Sequence, residues 1–490
     1  MVSHHQAHPA PETVRRALAL AEVLADETPR LRGRPTALSE GGFIRRIEDR
    51  PTLHLDDFSD ISIPTCYFET LEHLEDRARV RAGEGDVVAS NVEPEPGYEE
   101  YCRRSLGLGE VAWLRARTLG RRTSLALACW SDRELRETLV SLFRERRLDY
   151  IHPHMGSFAV WALAALLSAA AGRAVHVIAP PPALARAVND KVWFSSVIRR
   201  LLGDEWIPRT EEAYNFATAS VLVRELASEA ERIVIKLPDS AGGGGNLVVD
   251  PAPLRRLSLG ALRARLKALM QPLEWEGRRR ILIGAWESDV LASPSVQLWL
   301  PPIGAGSPVV EGLFEQVLEG EQGFFVGNRP ARLPKRVADR IVEAGWLVAR
   351  LLQELGYVGR CSFDLLLVGP DLGRCRVEFI ECNGRWGGTS LPMSLMNRLF
   401  GDWASREYRC MEHRLAPGEG DTFVDFVHAA GETLYDTRTG RGELILFNAA
   451  GLANREIAVI RVDGDPQEPV IENRGLVPKR SVTEARTSPP

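Results

Sequence analysis

Residues 377–388 read VEFIECNGRWGG. The apolar residues and the closing glycine pair give the pattern of a buried strand that ends in a turn. Glu381 and Asn383 are two positions apart, so on a strand both project to one face, while Cys382 points to the other. Just upstream, residues 361–368 read CSFDLLLV, a second strand joined to the first by a Gly/Pro turn. The two strands are expected to lie side by side, antiparallel, which adds Asp364 to the polar pair. Three converging oxygens suit Mg²⁺, which takes few protein ligands and fills its shell with water and phosphate. Arg385 follows at the strand end, where a guanidinium can grip a phosphate through two parallel bonds. An exposed polar strand face is the weaker alternative. Phe379, Ile380, Leu366 and Val368 read as buried, and burying paired acids without a cation is costly.

Two further stretches lie ahead of this hairpin. Residues 233–246 read IVIKLPDSAGGGGN: a β-branched strand ending at Lys236, the glycine loop Gly242, Gly243, Gly244 and Gly245, and a return strand at 247–249. Glycine has no Cβ, so its backbone N–H groups can approach phosphate oxygens closely. The loop is neither a Walker A motif nor a GxGxxG turn into a helix. Taken alone it reads as a flexible hairpin with a snorkelling lysine. Residues 188–191 read VNDK. Lysine occurs only at Lys191, Lys236, Lys267, Lys335 and Lys479, in a chain otherwise supplied with arginine. A retained lysine offers a compact point charge that arginine does not imitate.

The wider composition bounds the rest. At 490 residues the chain is expected to hold two to four domains. A net charge of -5 disfavours a general nucleic-acid partner. Seven scattered cysteines without a CxxC pair argue against a disulfide framework or structural zinc and point to a reducing cytosol. The N-terminus lacks the apolar core of a secretion signal, and the most apolar stretch, 158–171, is too short to span a bilayer. No membrane partner is therefore expected. Residues 11–25 read as an amphipathic helix in a polar extension. Across 41–180, segments 124–129 and 174–179 read as buried strands, 131–146 and 158–171 as helices, and IHPHMGS from 151 as a loop. That alternation indicates a parallel α/β unit. Helical patterns follow at 183–202, 211–230, 254–270 and 336–355, with strands at 281–286 and 296–300. The region from 421 to about 462 alternates short strands and turns, and the tail after 465 is expected to be partly disordered.

Lys191, Lys236 with its glycine loop, Asp364, and the Glu381-x-Asn383-x-Arg385 strand, in this order, resemble the ATP-grasp superfamily. The resemblance spans roughly 185–400. It implies ATP and Mg as cofactors, with Lys191, Lys236 and the loop Gly242–Gly245 on the phosphates and Asp364, Glu381 and Asn383 on the metal. Lys236 and Arg385 take the catalytic roles. The implied fold class is α/β, α+β in part. Residues 1–40 form an extension, 41–182 a Rossmann-like pre-ATP-grasp domain, and 183–404 a two-lobed ATP-grasp domain with its lid at about 205–280. Residues 405–490 form a small C-terminal unit with its tail. NDK, AWESDVLASPSVQLWLP, FEQVLEG and ECNGRWGGTS resemble the peptide ligases that build pheganomycin. The adenine hinge departs from the common pattern, with Gly284, Ala285 and Trp286 ahead of Glu287; adenine is then expected at Ala285 and Trp286, and the ribose near Glu287 or Asp289.

The implied reaction is a carbon–nitrogen ligation. A small-molecule or peptide carboxylate is phosphorylated by ATP, an amine displaces the phosphate, and ADP and phosphate leave. The alternatives are another reaction on the same nucleotide site (carboxylation or phosphoryl transfer) and a nucleotide-binding module without catalysis. No Met-Lys-Met biotin-attachment motif stands in the C-terminal region, and Asp364, Glu381 and Asn383 together count against a decayed site. A homodimer is the remaining expectation from the resemblance, and a cytoplasmic home is the one from the cysteines. His152, His154, Gln316 and Trp386 stand outside the proposed site.

Overall fold

The computed structural model describes residues 7–32, 49–61, 72–117, 124–240, 244–320, 323–414 and 422–464. Gly242, Gly243, Cys66 and the tail from 465 lie outside the described residues.

Three sheets organise the chain. The first is the parallel one expected from the N-terminal alternation. Its strands run in the order Ala112–Arg115, Val87–Ser90, Thr52–Leu55, Tyr150–Pro153, His176–Val177. Helix Phe158–Ala171 covers it, capped by the Ser157 hydroxyl and ended by Gly172 at φ 70°. The second sheet is small and antiparallel: Thr210–Ala213, Ile281–Ala285, Ile233–Lys236, Asn246–Val249. It carries the glycine loop at one end.

The third sheet has nine strands, all paired antiparallel. Gly359–Val368 lies between Pro294–Leu300 and Arg376–Asn383, which makes the expected hairpin. From Pro294–Leu300 the sheet continues through Val309–Glu319 and Phe324–Pro330 to Tyr408–Arg414, Glu456–Val462 and Leu444–Phe447. The C-terminal stretch, read as a small appended unit, therefore supplies three strands of this sheet. Helix Lys335–Glu354 packs on its apolar face, over Val296, Leu298, Phe363 and Leu365. The N-terminal helix Pro11–Glu27 buries Ala17, Ala21 and Leu24 in the same core.

Several local expectations change. Residues 124–129 are helical, not a strand. Ser124 caps helix Leu125–Ser131, accepting from the Leu127 N–H, and a short apolar run alone does not separate the two states. The stretch from 150 is a strand that includes His152, not a loop. Residues 211–230 begin as the edge strand Thr210–Ala213, and the helix waits for the Asn215 cap at Phe216–Glu229. The pattern at 183–202 is two helices, Pro182–Val188 and Lys191–Leu201, broken at Asn189. The one at 254–270 is likewise Ala252–Arg255 and Leu259–Leu269.

Candidate active site

The hairpin fixes the acids. Asp364 stands directly opposite Glu381, Ser362 opposite Asn383, and Ser295 of the neighbouring strand opposite Asp364. Paired positions share a face. A bulge at Asp364/Leu365 inserts Ile380 as an extra residue, since Leu365 pairs with Phe379. Strict alternation would put Phe379 and Glu381 on one face. The bulge instead sends Phe379 and Cys382 into the core and leaves Ile380, Glu381 and Asn383 on the side of a cavity. Ile380 and Leu366, expected to be buried, line that cavity; Phe379 and Val368 are buried as expected.

The cavity is about 880 Å³. It gathers Lys191, Lys236, Gly244, Ala285, Trp286, Glu287, Asp364, Glu381, Asn383 and Arg385. Gly245 sits just behind. A Cβ there would come within 1.9 Å of Ser240 Oγ, so only glycine fits this loop end. Glu287 is turned to Arg376 at 3.5 Å, and Asp289 does not line the cavity. The cavity extends beyond the expected set to Arg77, His154, Gln316, Trp386 and Glu412.

NDK locks two parts of the cavity together, each residue differently. Asn189 closes the gap between its two helices, and its side-chain oxygen accepts from the Gly384 N–H at 3.0 Å and from the Arg385 guanidinium. Asp190 caps the second helix through Val192 and Trp193 N–H and pairs with Arg280 at 2.6 Å. Lys191 donates from Nζ to Glu381 at 2.8 Å and to the Ser240 carbonyl at 2.8 Å. One buried ammonium thus joins the acid hairpin to the glycine loop.

Charge in the cavity is unevenly settled. Burial and the Glu381 carboxylate push Asp364 up to about 7, against hydrogen bonds from Ser295 and Gln316. Ser295 donates to Asp364 at 2.6 Å and Asn383 Nδ2 donates to it at 2.8 Å. Burial would raise Glu381 too, but Lys191, then Arg385 and Lys236, outweigh it and hold that carboxyl low. Burial and the neighbouring Lys191 lower Lys236 to about 8. Among the described residues no three His, Cys, Asp or Glu side chains gather as a metal cage. The donors here are two carboxylates and one amide oxygen. That set fits a hard divalent cation that keeps most of its water or phosphate ligands, and a cation would relieve two like charges held opposite each other.

Trp386 anchors the end of the hairpin. The Arg81 and Arg360 guanidiniums each lie over its ring, 4.8 Å from the centroid. Its indole N–H meets His152 Nε2 at 3.1 Å and its backbone N–H donates to the His154 carbonyl at 3.0 Å. Arg81 is held by Asp56 and Arg360 by Glu311. The residue after Arg385 is thereby fastened to the parallel sheet. Trp386 beside the strand motif and Asn189 within NDK are the signals the sequence holds for this; Arg77 has none.

No curated protein matches the chain by sequence. Among solved structures it is similar to the N5-carboxyaminoimidazole synthetase of Staphylococcus aureus complexed with ADP. That match has 10% identity and a TM-score of 0.49, covering 86% of this chain and 95% of that one. It is also similar to a biotin carboxylase of Campylobacter jejuni, with 13% identity and a TM-score of 0.47 over 85% and 87% of the two chains. An L-amino acid ligase from Bacillus licheniformis follows at 15% identity and a TM-score of 0.42, over 76% and 82%. Among the described residues no helix is long and apolar enough to cross a membrane. Residues 75–169, from the helical turn bearing Arg77 through helix Phe158–Ala171, match the family model of the Pre ATP-grasp domain, and Arg77 and His154 within that span line the cavity.

Proposed function

We propose that this protein is an ATP-grasp ligase that uses ATP and magnesium to join a carboxylate to an amine. What carries the reading is the double contact of Lys191 with Glu381 and the Ser240 carbonyl. It brings two lysines, two acids, Asn383 and Arg385 onto one cavity in the order the motifs imply. The preceding domain supports the same reading.

Asp364, Glu381 and Asn383 would hold magnesium, which would supply neutralisation of phosphate charge. The protein's own groups do the rest by position and charge. Lys191 and Lys236 bind the phosphates as point charges, and Arg385, braced by Asn189, orients the transferring group. Gly244, on the cavity wall, lets backbone N–H groups approach the phosphates, and Gly245 allows the close approach to Ser240. A carboxylate oxygen attacks the γ-phosphorus and the bond to ADP breaks. The amine nitrogen then attacks the acyl carbon, loses a proton, and phosphate leaves. The peptide ligases of the pheganomycin type are the branch the motifs favour.

The test is product analysis over pairs of acids and amines. ADP and phosphate release that depends on both is the expected result, lowered about 10²–10³-fold by Glu381→Ala. AMP and pyrophosphate, or equal background in wild type and Glu381→Ala, would overturn the proposal.

A further inference from the structure

Resting on that reading, we infer that Arg77 and His154 of the N-terminal region form, beside Arg385, the subsite for the carboxylate to be activated, and that the acid is a monocarboxylate with an apolar body. His154 lines the cavity at 7% exposure, and its Nδ1 is buried without a hydrogen-bond partner. An unmet buried polar atom of this kind costs on the order of 1–3 kcal/mol and calls for an explanation. Burial, then the Arg385, Arg81 and Arg77 charges, lower this imidazole well below its ordinary range, so it stands neutral between guanidiniums.

Arg77 has unused capacity. Its Nε is buried with no partner, and its ion pair with Glu412 is long, at 3.4 Å, where charge-assisted bonds run about 2.7–2.9 Å. The other charges around it are engaged. Asp56 holds Arg81, Arg81 stacks on Trp386, and Asp76 accepts from the Ala450 N–H at 2.8 Å. Two guanidiniums and a neutral imidazole on one wall therefore await a small anion, and Arg385 places that anion at the phosphoryl end. Phe58, Ile61 and Leu74 line the adjoining wall, and the Phe58 ring packs on His154 with centroids 4.5 Å apart. Glu412, already set against Arg77, and Glu456 line the same cavity and supply no cation for a second carboxylate.

The experiment uses the full chain, Mg-ATP, and hydroxylamine as the nucleophile, so that an activated acid is trapped as its hydroxamate. The acids are N-acetyl-leucine, N-acetyl-phenylalanine and N-acetyl-glutamate, with N-acetyl-leucinamide as the uncharged control. We expect hydroxamate from the two apolar monoacids and none from the amide. Arg77→Gln and His154→Gln should each raise KM for the acid about tenfold or more. Mg-ADP affinity, measured by calorimetry, should stay within about twofold, which also shows that the variants are folded. Unchanged KM in both variants overturns the subsite. Preference for the diacid, or no hydroxamate from any acid while Mg-ADP binds, overturns the substrate class. Failure of the wild type to bind Mg-ADP would instead bring down the ligase reading itself.

Discussion

Two buried charge clusters meet at Trp386, and they are built on opposite rules. On the N-terminal side buried arginines are set against acids. Arg79 grips Glu99 at 2.6 and 2.9 Å, Arg81 holds Asp56, and His54 meets Asp86 at 3.1 Å. On the hairpin side Asp364 and Glu381, like charges, are paired across the strands, and Lys191 answers Glu381 alone. Buried pairs of opposite sign can be neutral for stability, but one partner without the other is not tolerated. Like charges on a cavity wall are tolerated only at a cost, and that cost marks the site as one kept for a ligand. Burial of charge therefore separates scaffold from site only when the sign of the neighbour is read with it.

The largest effect expected from that contrast is on the scaffold side. Arg81→Met leaves Asp56 buried and unpaired, and should cost about 3–5 kcal/mol in denaturant unfolding. Adding Asp56→Leu should restore most of it. If the single variant is as stable as wild type, the N-terminal cluster is not the self-balanced unit described.

On the hairpin side the effect should move from stability to chemistry. Glu381→Ala and Asp364→Asn should each lower kcat by about 10²–10³, the scale of losing one electrostatic contact to a developing charge. Asp364→Asn should leave the unfolding midpoint unchanged or raise it, because it removes one of two like charges. A loss of stability to match Arg81→Met would erase the distinction between the clusters.

The glycine loop should respond more gently. Gly245→Ala sets a methyl against Ser240 Oγ, 1.9 Å from its ideal position, and Ser240 also carries the carbonyl that Lys191 binds. Overpacking of this kind costs about 1–3 kcal/mol. Mg-ADP affinity should fall some tenfold or more by calorimetry, and Ser240→Gly in the same chain, which also removes the Ser240 Cβ 2.2 Å from that methyl, should recover part of the loss. Equal affinity in Gly245→Ala and wild type would separate the loop from the nucleotide.

The sequence carried the hairpin well, because period-two spacing and a glycine turn are local signals. Lys236 stands at the end of its strand and Phe158–Ala171 is a helix, as their patterns indicate. Legibility failed where a long-range partner decides. The bulge at Ile380 exists only through pairing with Leu365. The 124–129 run is a helix whose start is held by distant Asp57, which accepts from Ser124 and the Ala126 N–H, where apolarity alone fits either state. Asn189 looks like an ordinary polar residue until Gly384 and Arg385 arrive from far along the chain. Arg77 and His154 belong to the cavity only because the parallel sheet docks against the hairpin through Trp386.

Lys236 gives the finest probe of the hairpin cluster, because its charge is set by that company. Burial and Lys191 lower it to about 8 from 10.5. The ammonium is therefore present below that value and lost as pH rises through it. Mg-ADP affinity should fall by at most about tenfold between pH 7 and pH 9, the share of ammonium lost over that span. Lys236→Arg should flatten the profile, since a guanidinium keeps its charge. Stability should move the other way. A lysine whose folded value is depressed binds fewer protons folded than unfolded, so its penalty is full below about 8 and is relieved as pH climbs towards 10.5. Relative to Lys236→Met, the wild type should thus gain stability over the range in which it loses affinity. If both quantities fall together, or affinity is flat from pH 7 to pH 9, Lys236 does not share the cavity's charge with Lys191 and Glu381.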